Sequence, residues 1–282
     1  MKAFLGTGLL GSNFVKAMLR RGDQVQVWNR TASKASALEK DGAKAFANIV
    51  DAVRGVDFIH LTLKNDATVN EVLEAASAGF APGATILDHT TTSKQGAIER
   101  TEFWAAKGFI YVHAPVFMGP PNALEGTGSM LVSGNQEVIA RVAPLLSEMT
   151  GKLLNFGPEV GKAAAIKLVG NSFLISMTAG LSDALGLAKA QDVDSAAIAE
   201  LFASWNPGAG APARLDKLRA GDFNNPSWEL DMARKDAGLM MSAASEKGIK
   251  LTVIPAVATE MDSWIAKGHG AADWSIIAKD NR

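Results

Sequence analysis

Lys2-Ala3-Phe4-Leu5-Gly6-Thr7-Gly8-Leu9-Leu10-Gly11 opens the chain with a short apolar run that breaks into a GxGxxG loop. Behind the loop, Leu10, Phe14, Val15, Met18 and Leu19 recur at three- and four-residue steps, which predicts an amphipathic helix. A strand, a glycine turn and a helix in this order make the phosphate-binding start of a dinucleotide site. Gly6 permits the tight turn, Gly8 lets the backbone approach a pyrophosphate, and Gly11 lets helix and strand pack closely. The helix N-terminus adds amide donors and the positive end of its dipole. A bare GxGxxG could be a plain glycine-rich turn; its strand and helix here favour the phosphate-binding reading.

Outward from this loop, apolar runs at 2–5, 24–28, 58–63, 84–88 and 109–113 alternate with helical patterns. Asp66 precedes one such segment, reaching Ala78, and Thr92 or Ser93 can cap another that runs to Lys107. The alternation predicts βαβ units and a mainly parallel sheet. After about Gly161, strand-like runs nearly vanish and Ala, Leu, Met and Ile recur at helical spacing. Residues 206–212 and 221–226, rich in Gly, Pro and Asn, break this half into pieces. The expected architecture is an α/β Rossmann-type domain over 1–160 and an all-α domain over 161–282, joined by a long helix at about 161–190.

Composition narrows the function classes. The 282 residues are 48% apolar and 20% charged, and 28 Lys plus Arg balance 29 Asp plus Glu. A net charge of -1 lacks the broad basic footprint of a nucleic-acid binder. Absence of cysteine excludes a disulfide scaffold and Cys-ligated metal, and fits a reducing, cytoplasmic compartment. His60, His89, His113 and His269 show no ligand spacing, so no metal is expected. Residues 3–11 resemble a short signal core but lack a cleavage site. Residues 163–181 are long enough to cross a bilayer. Lys167 alone would cost roughly 2.5–3.5 kcal/mol in lipid, so a buried helix of a soluble protein, with no membrane partner, is the expectation.

Strand two ends in Trp28-Asn29-Arg30-Thr31, with no acid to hold a ribose 2′-hydroxyl. Arg30 either sits solvated at a turn or grips a 2′-phosphate, with Asn29, Thr31 and Lys34 as further donors; the second reading favours NADP(H). The loop His113-Ala114-Pro115-Val116-Phe117-Met118-Gly119-Pro120-Pro121 follows the last clear strand, either as a structural turn or as a ligand loop. Lys167 and Asn171, four residues apart, share one helix face. The lysine either snorkels at a surface or faces a polar cleft. In a cleft, its ammonium stabilises charge building on a carbonyl oxygen and gives up a proton. Lys235-Asp236, on residues alone, reads as a solvated pair.

Taken together, these residues resemble the β-hydroxyacid dehydrogenase family, which includes 3-hydroxyisobutyrate dehydrogenases and glyoxylate/succinic semialdehyde reductases. The resemblance spans essentially the whole chain. Asp88-His89-Thr90-Thr91-Thr92-Ser93 looks like the D-x-S-T segment, which implies that Thr91 touches the nicotinamide end. Leu63-Lys64-Asn65 stands in place of a Leu-Pro-Asn loop at the cofactor. Gly161 to Asn171 matches G-x-x-x-x-x-K-x-x-x-N, implying a catalytic Lys167 with Asn171 orienting substrate. Lys235-Asp236 matches a later K-D pair that closes over cofactor and substrate. Gly268 to Ser275 resembles the C-terminal G-x-G-x-x-D-x-S signature.

One segment departs from the pattern. The usual D-A-P-V-S-G-G substrate loop here reads His113-Ala114-Pro115-Val116-Phe117-Met118-Gly119. Phe117 removes a hydroxyl donor, and Met118 adds bulk where glycine lets a carboxylate approach. The expectation is an NADPH-dependent oxidoreductase acting on a small carbonyl or β-hydroxyacid substrate through Lys167. Imine reduction is the alternative, since Trp28–Thr31 resembles imine reductases, although those enzymes usually lack the lysine. A non-catalytic dinucleotide module is a lesser alternative, opposed by Lys167, Asn171 and Lys235. The resemblance also implies a homodimer or homotetramer.

Overall fold

The computed structural model describes all residues, Met1–Arg282. Contacts divide it into two units, Met1–Asn171 and Ser172–Arg282.

The first unit opens with β1 (Lys2–Leu5), α1 (Leu9–Arg20), β2 (Val25–Trp28), α2 (Ala32–Ser36), β3 (Lys44–Ala45) and α3 (Ile49–Ala52). It continues through β4 (Phe58–Leu61), α4 (Asp66–Ala76), β5 (Thr85–Asp88), α5 (Lys94–Ala106) and β6 (Ile110–His113). These six strands form one parallel sheet in the order β3-β2-β1-β4-β5-β6. Strand direction in the core follows the side-chain period of two. Phe4 enters one apolar cluster with Phe14, Met18, Val27 and Leu87. Its neighbours Ala3 and Leu5 enter another with Ile59, Leu61, Leu73 and Trp104. Both faces are therefore covered, which is why the strands are continuous apolar runs. The order reverses between β1 and β4, and their carboxyl ends open a crevice where such sheets bind ligands.

Beyond β6, the chain forms a second sheet that the sequence pattern did not predict. β7 (Val116–Phe117) pairs antiparallel with β8 (Ser129–Val132), and β8 pairs parallel with β9 (Lys152–Asn155). Helices α6 (Pro120–Glu125) and α7 (Gln136–Ser147) connect them. Met130, Val132, Val142 and Leu146 extend the Phe4 cluster, so this sheet shares one core with the first.

A helix of 29 residues, α8 (Lys162–Ala190), leads from the first unit into the second. It is about 43 Å long at the usual rise. The second unit continues with α9 (Ser195–Ser204), α10 (Ala211–Ala220), α11 (Leu230–Glu246) and α12 (Val253–Ala266). Its core gathers Phe223, Leu230, Met261, Trp264 and Ile276. Asp183 of α8 accepts the backbone N–H groups of Thr252, Val253 and Ile254, capping α12 from another helix.

The expectation of a buried helix at 163–181 is corrected. Within one chain, Leu168, Phe173, Leu174, Ile175, Met177, Leu181 and Leu185 are exposed, Ile175 by 69%. The helix is long and apolar enough to cross a membrane by length and composition. Two of its charged side chains are nevertheless engaged, Lys167 with Asn171 and Asp183 with the start of α12. Either charge would be costly in lipid.

Candidate active site

The glycine loop has the geometry its sequence requires. Gly6 adopts a φ of +92°, and a β-carbon there would collide with the Thr62 carbonyl. The Thr62 hydroxyl donates to the Gly6 carbonyl at 3.0 Å, tying the end of β4 to the loop. A β-carbon on Gly8 would meet nothing, so this edge of the loop faces open space. The first turn of α1 has no side-chain cap, and the buried Thr7 hydroxyl has no partner. An open cradle with free helix amides and an orphaned hydroxyl fits the pyrophosphate of a dinucleotide.

Asn29, Arg30, Thr31 and Lys34 lie at the end of β2 and the start of α2. Arg30, Thr31 and Lys34 are exposed. The Asn29 carboxamide accepts the Thr7 N–H and donates to the Thr31 carbonyl, both at 3.0 Å, so it buttresses the loop from inside the protein. Beside the loop, Thr7, Ser12, Lys16, Lys34 and Lys40 line a groove of about 330 Å³. Lys16 and Lys40 carry no motif, and sequence reasoning missed them.

A cleft of about 420 Å³ brings together residues from the separate motifs. It is lined by Gly8, Leu9, Leu10 and Gly11, by Leu63 and Lys64, by Thr91, by Val116 and Met118, and by Lys167. Thr62, His89 and Thr90 also line it and were not anticipated. Lys167 is only 7% exposed and donates to the Asn171 amide oxygen at 2.9 Å. Its ammonium lies 4.0 Å from the Phe117 ring centroid. Burial holds Lys167 below the usual lysine pKa, which eases release of its proton.

The loop before Lys167 is structured. Pro115 and Val116 are buried, and the Pro115 carbonyl accepts the Leu131 N–H. The Gly119 N–H donates to the Asn122 side chain at 2.9 Å, and that amide is occupied. It starts α6 rather than standing open to a ligand.

Behind the cleft lies a buried polar wall. Arg100 donates to the Tyr111 hydroxyl at 2.8 Å and to Asp66 at 2.8 Å, and Tyr111 donates to Asp88 at 2.6 Å. Burial and the neighbouring Asp88 push the Tyr111 pKa well up, keeping the hydroxyl a donor. Asp88 also accepts the Thr90 N–H, and the Thr90 hydroxyl accepts the Leu63 N–H. The network therefore fixes the loops after β4 and β5, both of which line the cleft.

Three buried histidines complete the wall. A carbonyl can only accept, so His89 donates from Nδ1 to the Ala114 carbonyl at 2.9 Å. Its bare Nε2 then accepts from His60 Nδ1 at 3.1 Å, which leaves His60 Nε2 an unpartnered acceptor. By the same rule, His113 Nε2 donates to the Thr90 carbonyl at 2.8 Å and its Nδ1 is orphaned. Burial favours the neutral form of all three rings. Burial lowers the pKa of each, that of His89 from 6.5 to about 4.

In the second unit, Lys235 and Asp236 are neighbours on α11 and pair with each other at 3.0 Å, the lysine exposed. The C-terminal signature is built around Asp273, which accepts from Lys217 and from Ser227 and Ser275. Burial would raise its pKa, but these donors outweigh it and hold the carboxyl far below the usual range.

This fold and glycine loop are those of a dinucleotide-binding oxidoreductase. Residues 2–157 match the NAD binding domain of 6-phosphogluconate dehydrogenase, and 159–282 match the NADPH-dependent reductive aminase-like C-terminal domain. The chain is 27% identical to 3-sulfolactaldehyde reductase of Escherichia coli, over 99% of this chain and 95% of that protein. It is 26% identical to mitochondrial 3-hydroxyisobutyrate dehydrogenase of Drosophila melanogaster, over 97% and 87%. The imine reductase of Myxococcus stipitatus in complex with NADP+ shares the fold, with a TM-score of 0.91 at 23% identity over both full chains. The chain belongs to the β-hydroxyacid dehydrogenase family.

Proposed function

We propose that this chain is an NADPH-dependent reductase of a small carbonyl substrate of the semialdehyde or β-hydroxyacid kind, with Lys167 as general acid in reduction and base in oxidation. The observation that carries the reading is the buried Lys167, held by the half-buried Asn171, in the cleft that begins at the glycine loop. Its relatives by name, including the sulfolactaldehyde reductase, act on such compounds.

Gly6 to Gly11 would hold the pyrophosphate, Leu63, Lys64 and Thr91 would flank the nicotinamide end, and Lys235 would close over it from α11. NADPH, when bound, supplies the hydride. Lys167 donates a proton to the carbonyl oxygen, and Asn171 keeps the ammonium aimed. Pro115, Val116, Phe117, Met118 and Gly119 form the substrate loop, with Asp236 a further contact. With the Gly119 amide occupied and no hydroxyl at Phe117, this loop gives a carboxylate few donors. The pocket therefore tolerates a more apolar carbonyl compound.

Arg30, with Thr31 and Lys34 beside it, would receive the 2′-phosphate. Steady-state reduction of a short semialdehyde, with Arg30→Ala beside the wild type, tests reaction and cofactor together. Loss of a forked charged contact should weaken NADPH roughly tenfold or more and leave NADH nearly unchanged. Equal losses for both cofactors would remove Arg30 from this role.

Imine reduction is the second reading, favoured by the C-terminal family match over 159–282. Its main difficulty is Lys167, a residue that the resemblance implies imine reductases usually lack.

A homo-oligomer, dimer or tetramer, is part of the proposal. Single soluble chains rarely expose an apolar face like that of α8. A second copy of this chain, burying Phe173, Leu174 and Ile175, accounts for it. Sedimentation should give at least twice the 29.6 kDa of one chain. A monomer at micromolar concentration would contradict this. A cytoplasmic location fits the absence of cysteine.

A further inference from the structure

We infer that Phe117 is a positioning residue for Lys167, its ring face steadying the ammonium, and that Gly170 is the seat that lets the ring lie there. This rests on the proposed role of Lys167 as the acid.

The geometry comes from two distant segments. Lys167, Gly170 and Asn171 stand at i, i+3 and i+4 on α8, so they share one face. Lys167 Nζ lies 4.0 Å from the Phe117 ring centroid, well inside cation–π range. A β-carbon on Gly170 would collide with the tip of that ring. The aromatic and the bare helix position are therefore complementary: any larger residue at 170 displaces the ring from the lysine. Pairing of β7 with β8, Phe117 opposite Ser129, fixes the ring from its backbone side.

The ring matters because the ammonium has no counter-ion. The titratable groups sharing the cleft are Lys64 and the neutral His89, and no carboxylate lines it. On α8, the nearest other charged residue is Lys162, which offers no counter-charge. Burial disfavours the charged amine, and the negative face of the ring opposes that effect. Of the three ammonium N–H groups, one serves Asn171 and the ring takes a second direction. A third remains for a substrate oxygen. An alcohol side chain in place of Phe117 would accept a hydrogen bond but supply no such surface.

Phe117→Leu removes the π face while keeping an apolar side chain, and Gly170→Ala displaces the ring while leaving residue 117 a phenylalanine. Both are made in the full chain, with NADPH affinity as the check that the site is folded. Titration of the Lys167 ¹³Cε resonance should show the amine pKa lower by about one unit in each variant. The double variant should fall no further, because both changes remove one interaction. The alkaline limb of kcat/KM for reduction should move down by the same amount, since the protonated amine is the form that reacts.

An unshifted titration in folded Phe117→Leu would overturn the inference. If Lys167→Ala still abolished turnover in that case, the acid role would stand without the ring. If Lys167→Ala left turnover intact, the acid role would fail, and with it the use of the ring in reduction.

Discussion

Lys167→Ala is expected to cut turnover in carbonyl reduction by at least about a hundredfold, the usual share of a general acid, with NADPH affinity nearly unchanged. The split follows from where the lysine sits. It lines the cleft beside the glycine loop, while the atoms that would hold the pyrophosphate belong to that loop and α1. Its one hydrogen-bond partner is Asn171, four residues along the same helix, so truncation strips no contact from the dinucleotide cradle. Stopped-flow turnover and NADPH titration of the same variant check this directly. Unchanged turnover, or equal loss of turnover and cofactor affinity, would contradict the assigned role.

The second large effect is acid lability. His60, His89 and His113 are buried neutral, each with its donor committed and no acceptor facing the other ring nitrogen. A folded pKa below the unfolded value means that the unfolded chain binds more protons in the interval between them. The stability contribution is therefore fully present above pH 6.5 and is lost as the pH falls through the folded pKa. For His89, from 6.5 to about 4, the loss amounts to about 3 kcal/mol. His60 and His113 add to it in the same direction. Asp273 acts only further down, because its depressed carboxyl keeps its contribution until the pH drops below the ordinary carboxylate range. Urea midpoints should fall steadily from pH 6.5 to about 4, and His60→Leu should flatten the slope. Midpoints independent of pH across that window would contradict the buried neutral histidines.

The parts of this protein legible in its sequence are those whose chemistry is local. The glycine loop declares itself because turn, cradle and helix start lie within six residues. The five strands predicted for the parallel sheet appear because burial on both faces writes continuous apolar runs. Ser93 caps α5 as its residue type requires, whereas α4 is capped by Asn65 and Asp66 is already its first residue. Two-residue β3 and β7 carry no period of their own, and they exist through pairing with β2 and β8.

Features made by distant residues were not legible. Nothing near Phe117 announces Gly170, and nothing in the spacing of His60, His89 and His113 shows that the fold buries them. The Arg100–Tyr111–Asp88 network is likewise assembled by the sheet from three separate elements. Helix α8 misled for a different reason. An apolar surface all round reads as burial, and one chain alone does not supply the cover. A second copy, as proposed, would.

In the proposed reaction, Lys167 gives its proton to a carbonyl oxygen as NADPH supplies the hydride. The most direct test is the initial rate of NADPH oxidation by wild type and Lys167→Ala, each with succinic semialdehyde and with a cyclic imine. The wild type should turn over the aldehyde fast and the imine little, and the variant should lose the aldehyde rate. Faster turnover of the imine, unaffected by Lys167→Ala, would contradict the proposed reaction and make imine reduction the leading reading.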